Sequence, residues 1–405
     1  MVANSKNWRR VFLSLLLVKI VYLGGVYLAV SFWPDLDEEK YFEVMRHWPL
    51  EGGPVFPDSH FGTWDAAHYL YLSTRGYTKG TNSCAFYPLW PLAMRGGSIF
   101  TDGSDLIAGM VLANLFSLAA WILFHRVVSA RFGETVALWA LVFLILFPGS
   151  LFYQFIYSEP LFVLLVMVLW LGLERDRFGL AWAAAFLLPL SRPVGVFCEL
   201  PIAWHLLTYK PLRSLVWFEK CASENAKEEQ RVNNQVDAEN NWRSYGLLTA
   251  PLLGWSVYFA LMWSWTGNPL EGIQAQKNWG THAISHLWNL PRFIVGFFEP
   301  TTWHDYAGSV LDRCAFMLLV YSLPLIWRLG KDMVLWTYVL GILPAMSGTF
   351  TSFTRYESAA FPLFIALAVF FTSLKRKWPL VVFLAFNVVL HGILLWRFVN
   401  FRWAG

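Results

Sequence analysis

The stretch VFLSLLLVKIVYLGGVYLAVSFW, residues 11–33, decides the fold. Lys19 is the only charged side chain in this stretch. The stretch is longer than the roughly 20 apolar residues that a helix needs to cross a bilayer. Lys6, Arg9 and Arg10 precede it, as in a secretory signal, but no small-residue cleavage site follows. We therefore expect an uncleaved membrane anchor here.

Further apolar runs continue along the chain, in which 57% of the 405 residues are hydrophobic and 14% are charged. Helices that each span a bilayer can form one large bundle, so this composition predicts an all-α polytopic transmembrane fold of about 11 spans in a single domain, residues 1–405. The later runs lie near residues 106–125, 133–148, 158–173, 178–190, 193–208, 245–266, 313–329, 332–349, 356–374 and 378–398.

Lys and Arg are concentrated in alternate connections between these runs. The positive-inside rule then predicts a cytoplasmic N-terminus and an external C-terminus. The formal charge of +4 is spread over helix ends rather than gathered in one patch, so we expect the lipid bilayer as a partner and no nucleic acid. The compact connections favour a bacterial plasma membrane over an endoplasmic reticulum membrane.

Three connections are long enough to do more than join helices. Residues 34–105 form an external loop whose aromatic segments suggest helices lying in the membrane interface. Residues 210–243 form a cytoplasmic loop of mixed charge, which is typical of a solvated segment. Residues 267–312 form a second external loop, in which Gln276 and Lys277 lie among Trp and His residues. That composition suits a lid over an interfacial substrate.

The chemistry is expected at the external rim. Asp65, in the stretch HFGTWDAAHYLYLSTRGY, residues 60–77, lies just beyond the first span, and the topology brings Glu159, Arg192 and Arg355 to the same side. A guanidinium can bind a phosphate bidentately, and a carboxylate can take a proton from a hydroxyl. A sugar carried on a lipid phosphate needs both groups.

Each of these residues also fits a structural role when it is taken singly. Asp65 could cap the short helix that begins after it, and Glu159 could do the same ahead of Pro160. Either arginine could contact lipid headgroups. His68 lies three residues after Asp65, on the same face of the predicted helix. The grouping of two acids and two arginines favours a site over four separate structural roles.

Several motifs resemble the PIG-V family, which contains the second mannosyltransferase of GPI-anchor synthesis. The resemblance covers roughly residues 60–200, and the order and spacing of the motifs agree with the family pattern. The matching motifs are WDAAH at 64–68, RGY at 75–77, AFYPLWPL at 85–92, FPGS at 147–150, YSEPLF at 157–162, LER at 173–175 and SRPVG at 191–195.

The resemblance implies an inverting glycosyltransferase of the GT-C type. It would transfer mannose from a polyprenyl phosphate donor to a lipid-linked or GPI-like glycan acceptor on the non-cytoplasmic side. Asp65 would then be the base, Arg192 and Arg355 would bind the donor phosphate, and Glu159 and His68 would assist Asp65. The further candidate substrate contacts are Trp64, Tyr87, Gln276, Lys277, Tyr356 and Glu357.

Two features limit how much of the family pattern carries over. Pro193 and Val194 replace the Ser-Asn of the family turn, and a bacterial member would need an acceptor other than GPI. Asp65 has no second acid in a D-x-D arrangement, so we expect no metal cofactor. A lipid or lipid-linked sugar transporter, or flippase, remains the alternative class, although no internal repeat is seen.

Overall fold

The computed structural model describes residues 5–32, 60–209, 246–279, 290–347 and 350–405. The predicted cytoplasmic loop, 210–243, and residues 34–59 of the first external loop lie outside the described residues. In the described part, the long helices are α1 (Ser5–Phe32), α4 (Asp105–Phe132), α9 (Thr249–Thr266), α12 (Val310–Leu329) and α17 (Trp378–Val399). Between them lie α2 (Asp65–Arg75), α3 (Leu89–Ser98), α5 (Glu134–Leu146), α6 (Glu159–Glu174), α7 (Phe178–Ser191), α8 (Glu199–Tyr209), α10 (Glu271–Ala275), α11 (Leu290–Phe297), α13 (Lys331–Thr337), α14 (Leu343–Ser347), α15 (Phe353–Glu357) and α16 (Phe361–Ser373).

The described part of the chain is helical and holds no strand, so the all-α prediction is confirmed. Five of its helical stretches are long and apolar enough to cross a membrane: residues 9–32, 105–132, 246–266, 310–329 and 378–399. Four shorter apolar helices accompany them. The chain is thus a multi-pass membrane protein, whereas the count of about 11 spans stays a prediction.

Several of the predicted apolar runs do not form one continuous α-helix. The run 193–208 divides into a 3-10 helix, Pro193–Cys198, and α8. The run 332–349 divides into α13, a π-helical turn at Tyr338–Ile342, and α14. Such irregular backbone at membrane depth is tolerated where it lies within protein or lines a cavity. The Pro193–Cys198 and Tyr338–Ile342 segments meet that condition at the site described below.

Helix α2 differs from the expectation of an interfacial helix. Its residues Ala66 to Ser73 are all buried inside the bundle, and the Tyr69 hydroxyl donates a hydrogen bond to Ser158 Oγ at 2.9 Å. The aromatic side chains that suggested an interface instead pack against other protein rings, including Tyr69 on Phe86. The helix therefore carries Asp65 into the interior of the protein.

At the opposite end of the bundle, one ion-pair cluster ties three helices together. Arg131 of α4 pairs with Glu174 of α6 at 2.8 Å and with Asp332 of α13. Trp170 adds an indole N–H to Glu174 at 3.1 Å. Glu174 belongs to the LER motif, so this motif has a clear structural use in holding α6 in place.

Candidate active site

Four charged side chains from distant parts of the sequence form one ion-pair network. Arg355 Nη1 lies 2.6 Å from Asp65 Oδ2, and Arg355 Nε lies 2.9 Å from Glu159 Oε1. Arg192 Nη2 lies 3.1 Å from the same Glu159 oxygen. Two carboxylates and two guanidinium groups balance in charge, which is the condition under which ionised groups tolerate burial. The four charged residues that the sequence grouped are therefore brought together, whereas their location at the external rim stays a prediction.

Asp65 begins α2 directly after a residue with unusual backbone geometry. Trp64 has φ of 55°, in the left-handed region that costs free energy for a non-glycine residue. Its indole N–H donates to Arg402 O at 3.1 Å, and its ring meets Trp403 edge-on with 5.1 Å between centroids. Contacts from the last residues of the chain thus hold the turn that presents Asp65.

Glu159 is the first residue of α6, and Pro160 follows at a position where a helix has no use for a backbone N–H. The Glu159 side chain is 1% exposed, and both of its ion-pair partners are arginines. A carboxylate so deeply buried is stable only with such partners. Glu159 therefore links Arg192 to Arg355 within the network.

Arg355 lies on the short helix α15, which two contacts fix in place. Asp312 Oδ1 accepts hydrogen bonds from the backbone N–H and the hydroxyl of Thr354, each at 2.6 Å. On the other side, Gly149 of the FPGS motif approaches so closely that a Cβ there would lie 2.0 Å from Thr354 O. Only a glycine allows this approach, which sets the position of Arg355.

Arg192 lies in the tight reversal between α7 and the Pro193–Cys198 segment. A Cβ on Gly195 would lie 2.4 Å from the Leu188 carbonyl carbon, so glycine is needed for the chain to turn back on itself. The guanidinium lies over the Tyr356 ring, 4.8 Å from its centroid. Within the described residues, Glu159 is its only hydrogen-bond or ion-pair partner. Arg192 thus keeps N–H groups that can bind a ligand.

These groups open into a cavity of about 240 Å³. Asp65, Arg192 and Arg355 line it, together with Tyr69, Ser158 and Ser191. Many of its other lining side chains are apolar, and we call those from the Pro193–Cys198 segment, the Tyr338–Ile342 segment and α14 the apolar wall. They are Val194, Val196, Phe197, Leu340, Leu343, Pro344 and Met346. An anionic group attached to an apolar chain matches this mixture of lining residues.

Some of the other predicted substrate contacts line the cavity, and others do not. Tyr87, Gln276 and Tyr356 line the cavity, and Gln276 also donates to Ala85 O at 2.7 Å. Trp64, His68, Lys277 and Glu357 are not among its lining residues in the described part of the chain. Their proposed functional roles stay predictions.

His68 and Glu357 have defined surroundings away from the cavity. His68 Nδ1 lies 2.8 Å from Ser83 Oγ, and its ring stacks on Phe86 with 4.8 Å between centroids. Glu357 is fully buried. Lys277, by contrast, is exposed. His68 therefore packs behind Phe86, which lines the cavity.

Tyr306 and Trp403 are among the cavity residues that the sequence analysis did not single out. Their rings meet edge-on with 5.1 Å between centroids, and the Tyr306 hydroxyl donates to Trp279 O. Burial raises the pKa of Tyr306 to about 12, helped by the neighbouring Tyr356 and Asp65, so this hydroxyl stays protonated. The high Trp content near the C-terminus could have pointed to Trp403. It does not, however, distinguish a Trp that lines a cavity from a Trp that faces the membrane.

Among the described residues, no group of three or more His, Cys, Asp or Glu side chains could hold a metal ion. Arg192 and Arg355 are the positively charged side chains among the described residues that line the cavity. The expectation of a metal-independent protein stays a prediction.

Comparison with known proteins shows what one part of the chain is similar to. Residues 58–207 match the family model described as Mannosyltransferase (PIG-V), which confirms the resemblance that the motifs indicated. The protein called GPI alpha-1,6-mannosyltransferase 2 in Cricetulus griseus is 32% identical over 141 residues, which make up 32% of this chain and 28% of that protein. The Mus musculus protein of the same name is 31% identical over 141 residues with the same coverage. The match thus spans under a third of the length of these curated relatives.

Among solved structures, the crystal structure of the Archaeoglobus fulgidus oligosaccharyltransferase in complex with Zn and sulfate is 15% identical. The likeness covers 79% of this chain and 45% of that chain, with a TM-score of 0.42. The assignment to the GT-C type stays a prediction.

Proposed function

Starting from the PIG-V mannosyltransferase pattern in residues 58–207, we propose that the protein transfers mannose from a polyprenyl phosphate donor to a glycan acceptor on the non-cytoplasmic side of the membrane. The acceptor is a lipid-linked or GPI-like glycan. The observation that carries the proposal is the cavity itself, because it joins a carboxylate, an arginine with available N–H groups and an apolar wall.

In the proposed reaction, Asp65 removes the proton from an acceptor hydroxyl. The acceptor oxygen attacks the anomeric carbon of the mannose from the face opposite the phosphate, so the configuration inverts. The bond between that carbon and the phosphate oxygen breaks, and the lipid phosphate leaves with the electron pair. Positioned cations that stabilise such a leaving group make a large contribution to catalysis.

The two arginines differ in how readily they can bind the phosphate. Arg192 has a single acidic partner and lines the cavity, so it can bind the donor without losing an existing contact. Arg355 is already bonded to Asp65 and Glu159, and its Nη2 lies 3.2 Å from Tyr356 Oη. We propose that Arg192 makes the first phosphate contact, and that Arg355 reaches the phosphate only by loosening its bond to Asp65.

That exchange would couple donor binding to the chemistry. In the structure, one oxygen of Asp65 is occupied by Arg355 Nη1 at 2.6 Å. When a phosphate draws Arg355 toward itself, the oxygen becomes available to accept a proton from the acceptor. A base that becomes available only with the donor bound would limit unproductive reactions. The apolar wall built from the Pro193–Cys198 and Tyr338–Ile342 segments would meanwhile hold the start of the lipid chain.

The test compares wild-type protein with Asp65→Asn in lipid nanodiscs, using radiolabelled polyprenyl-phosphate-mannose and a membrane lipid extract. Asp65→Asn keeps the shape and one hydrogen-bond acceptor, so we expect it to bind the donor but to form no mannosylated product. Equal product from the two proteins would remove Asp65 as the base. A second assay uses the same protein in proteoliposomes. Movement of the donor across the proteoliposome bilayer without consumption would show that the protein is a lipid transporter.

A further inference from the structure

The segment from Tyr153 to Glu159 contacts the regions on either side of the charged network. The Tyr157 hydroxyl donates to Thr63 O at 3.2 Å, in the turn before Asp65, and Glu159 pairs with both arginines. The Tyr153 hydroxyl donates to Ser358 O at 3.0 Å. We call residues 153–159 the hub segment. Its conformation therefore sets the relative positions of the acids and the arginines.

The hub segment needs support because it is buried and not helical. All its residues are buried, and the backbone from Gln154 to Ser158 follows bends between a 3-10 helix and α6. Buried carbonyl groups outside a helix require donors from elsewhere. Two side chains of α4 supply them, since Ser117 Oγ lies 2.8 Å from Tyr153 O and Asn114 Nδ2 lies 3.0 Å from Gln154 O.

Lys19 of α1 links these supporting groups to one another. Its side-chain nitrogen donates to Gln154 Oε1 at 2.7 Å, to Ser117 Oγ at 2.7 Å and to Asn114 Oδ1 at 3.1 Å. An ammonium group has three N–H donors, and here each has an acceptor. The nitrogen also lies 4.2 Å from the centroid of the Trp121 ring. Lys19 is 3% exposed, so no water is needed to complete its contacts.

The other bundle-facing side chains of α1 differ from Lys19 in what they contact. Most of α1 faces outward, and the side chains facing the bundle are spaced along one stripe, Leu15, Lys19, Tyr22 and Val26. Tyr22 Oη lies 2.9 Å from His391 Nε2 of α17, and within the described residues it makes no hydrogen bond to the hub segment. An ionisable residue facing the inside of a membrane bundle is costly to bury and is commonly retained for function.

We propose that Lys19 is a positioning residue of the active site. By orienting Asn114, Ser117 and Gln154, it holds the hub segment in the non-helical conformation that presents Tyr157 and Glu159 to the cavity. Lys19 itself touches no substrate. Its effect on the rate rests on the proposed transfer reaction, whereas its effect on the hub segment does not.

The test uses the full chain in nanodiscs, with Lys19→Met as the variant and Tyr22→Phe as the matched control on the same helix stripe. Hydrogen–deuterium exchange of the peptide covering residues 153–159 is measured together with transfer kinetics. We expect Lys19→Met to speed exchange in this peptide and to lower kcat by about 100-fold, the size of effect produced by a misplacement near 1 Å. The donor KM should change little, and Tyr22→Phe should leave both readouts near wild type.

A double-mutant cycle tests the route through Gln154. If Lys19 acts by orienting Gln154, the combined Lys19→Met and Gln154→Leu substitutions cost less than the sum of the two single changes. The double variant removes both partners of the Lys19–Gln154 hydrogen bond together, so neither partner of that bond is left unsatisfied in the interior. Exchange unchanged in Lys19→Met, or a loss of kcat equal in Lys19→Met and Tyr22→Phe, would overturn the proposal. A wild-type protein without transfer activity would refute the proposed function, while the exchange measurement would still decide the role of Lys19.

Discussion

The two halves of the chain contribute different things to one site. Residues 58–207, which match the family, supply Asp65, Glu159 and Arg192. The region from 290 to 405, outside that match, supplies Arg355 and the aromatic wall of Tyr306 and Trp403. The motif-rich half therefore carries both acids, and they are held in place by a guanidinium from the other half. The residues of the matched segment form the complete charged network only together with Arg355 from the second half.

The largest expected effect comes from removing the residue that joins the halves. Arg355→Gln leaves Asp65 and Glu159 without their shared cation, and breaking a buried ion pair in this way typically costs about 3–5 kcal/mol of stability. We expect a strong fall in thermal stability in nanodiscs together with loss of transfer activity.

Arg192→Gln is the matched comparison from the family-matched half. Glu159 keeps Arg355 as a partner, so stability should change far less, while the donor KM rises by about 10- to 100-fold, as expected for losing a hydrogen bond to a charged group. If the two variants lose stability equally, the division of labour between the arginines is wrong. An unchanged donor KM in Arg192→Gln would remove it as the first phosphate contact.

The next effect concerns the place where the halves touch backbone to backbone. Gly149→Ala would put a Cβ 2.0 Å from Thr354 O, next to Arg355. Overpacking of this kind usually costs about 1–3 kcal/mol, and here it would also shift the guanidinium. We expect lower thermal stability and a reduced kcat.

Gly392→Ala in α17 is the control for Gly149→Ala, because nothing lies within 4 Å of the added Cβ. Alanine in a helix interior is favoured over glycine by roughly 0.5–1 kcal/mol, so this control should be neutral or slightly stabilising. Normal kcat in Gly149→Ala would mean that the contact between FPGS and α15 does not set the position of Arg355.

The sequence predicted the class of fold and the four charged residues, but not their pairing. Apolar runs of sufficient length are local signals, so helices were found wherever such runs occur. Asp65, Glu159, Arg192 and Arg355 stood out because charge is rare near hydrocarbon. Which acid meets which arginine depends on helix packing, and residues 65 and 355 are too far apart in sequence for any local rule.

The aromatic wall shows the complementary limit. The chain has 23 Trp residues. Most sequence patterns that are compatible with a Trp lining a cavity are also compatible with a Trp facing lipid. Trp403 lies in the cavity because Arg397 donates to its backbone oxygen at 2.6 Å and Trp64 donates to Arg402 O at 3.1 Å. Hydrogen bonds to backbone oxygens cannot be predicted from the residue type of the acceptor, because every residue has a backbone oxygen. The contact between His68 Nδ1 and Ser83 Oγ, which are 2.8 Å apart, likewise depends on packing that residue type does not reveal.

A smaller effect is expected from trimming this wall. Trp403→Phe keeps an aromatic ring but removes part of a side chain that lines the same cavity as Asp65. We expect a several-fold rise in acceptor KM with an unchanged donor KM. Trp378→Phe is the control, since Trp378 is 64% exposed at the start of α17. Equal acceptor KM values in the two variants would show that the second half contributes no acceptor contact through Trp403.

The smallest effect is a dependence of stability on pH that originates in the second half alone. Burial and, to a smaller extent, the nearby Arg397 lower the pKa of His304 from 6.5 to about 4. Between these values the unfolded chain binds a proton that the folded protein does not, so stability falls as pH drops from about 6.5 toward 4. Above pH 7 the residue is neutral in both states and contributes no slope.

The His304→Asn variant isolates this contribution from the carboxylates that titrate in the same range. Asn keeps a polar group near Ser309 Oγ, which lies 3.0 Å from His304 Nδ1, but it cannot be protonated. The unfolding midpoint of this variant in nanodiscs should therefore fall less steeply than that of wild type between pH 6.5 and 4, while the two proteins show the same slope above pH 7. Parallel curves across the whole range would mean that His304 is equally basic in the folded and unfolded chain. The segment around residues 304–306 would then be open to water, and the wall that the second half builds beside Asp65 would be looser than the packing of Tyr306 and Trp403 indicates.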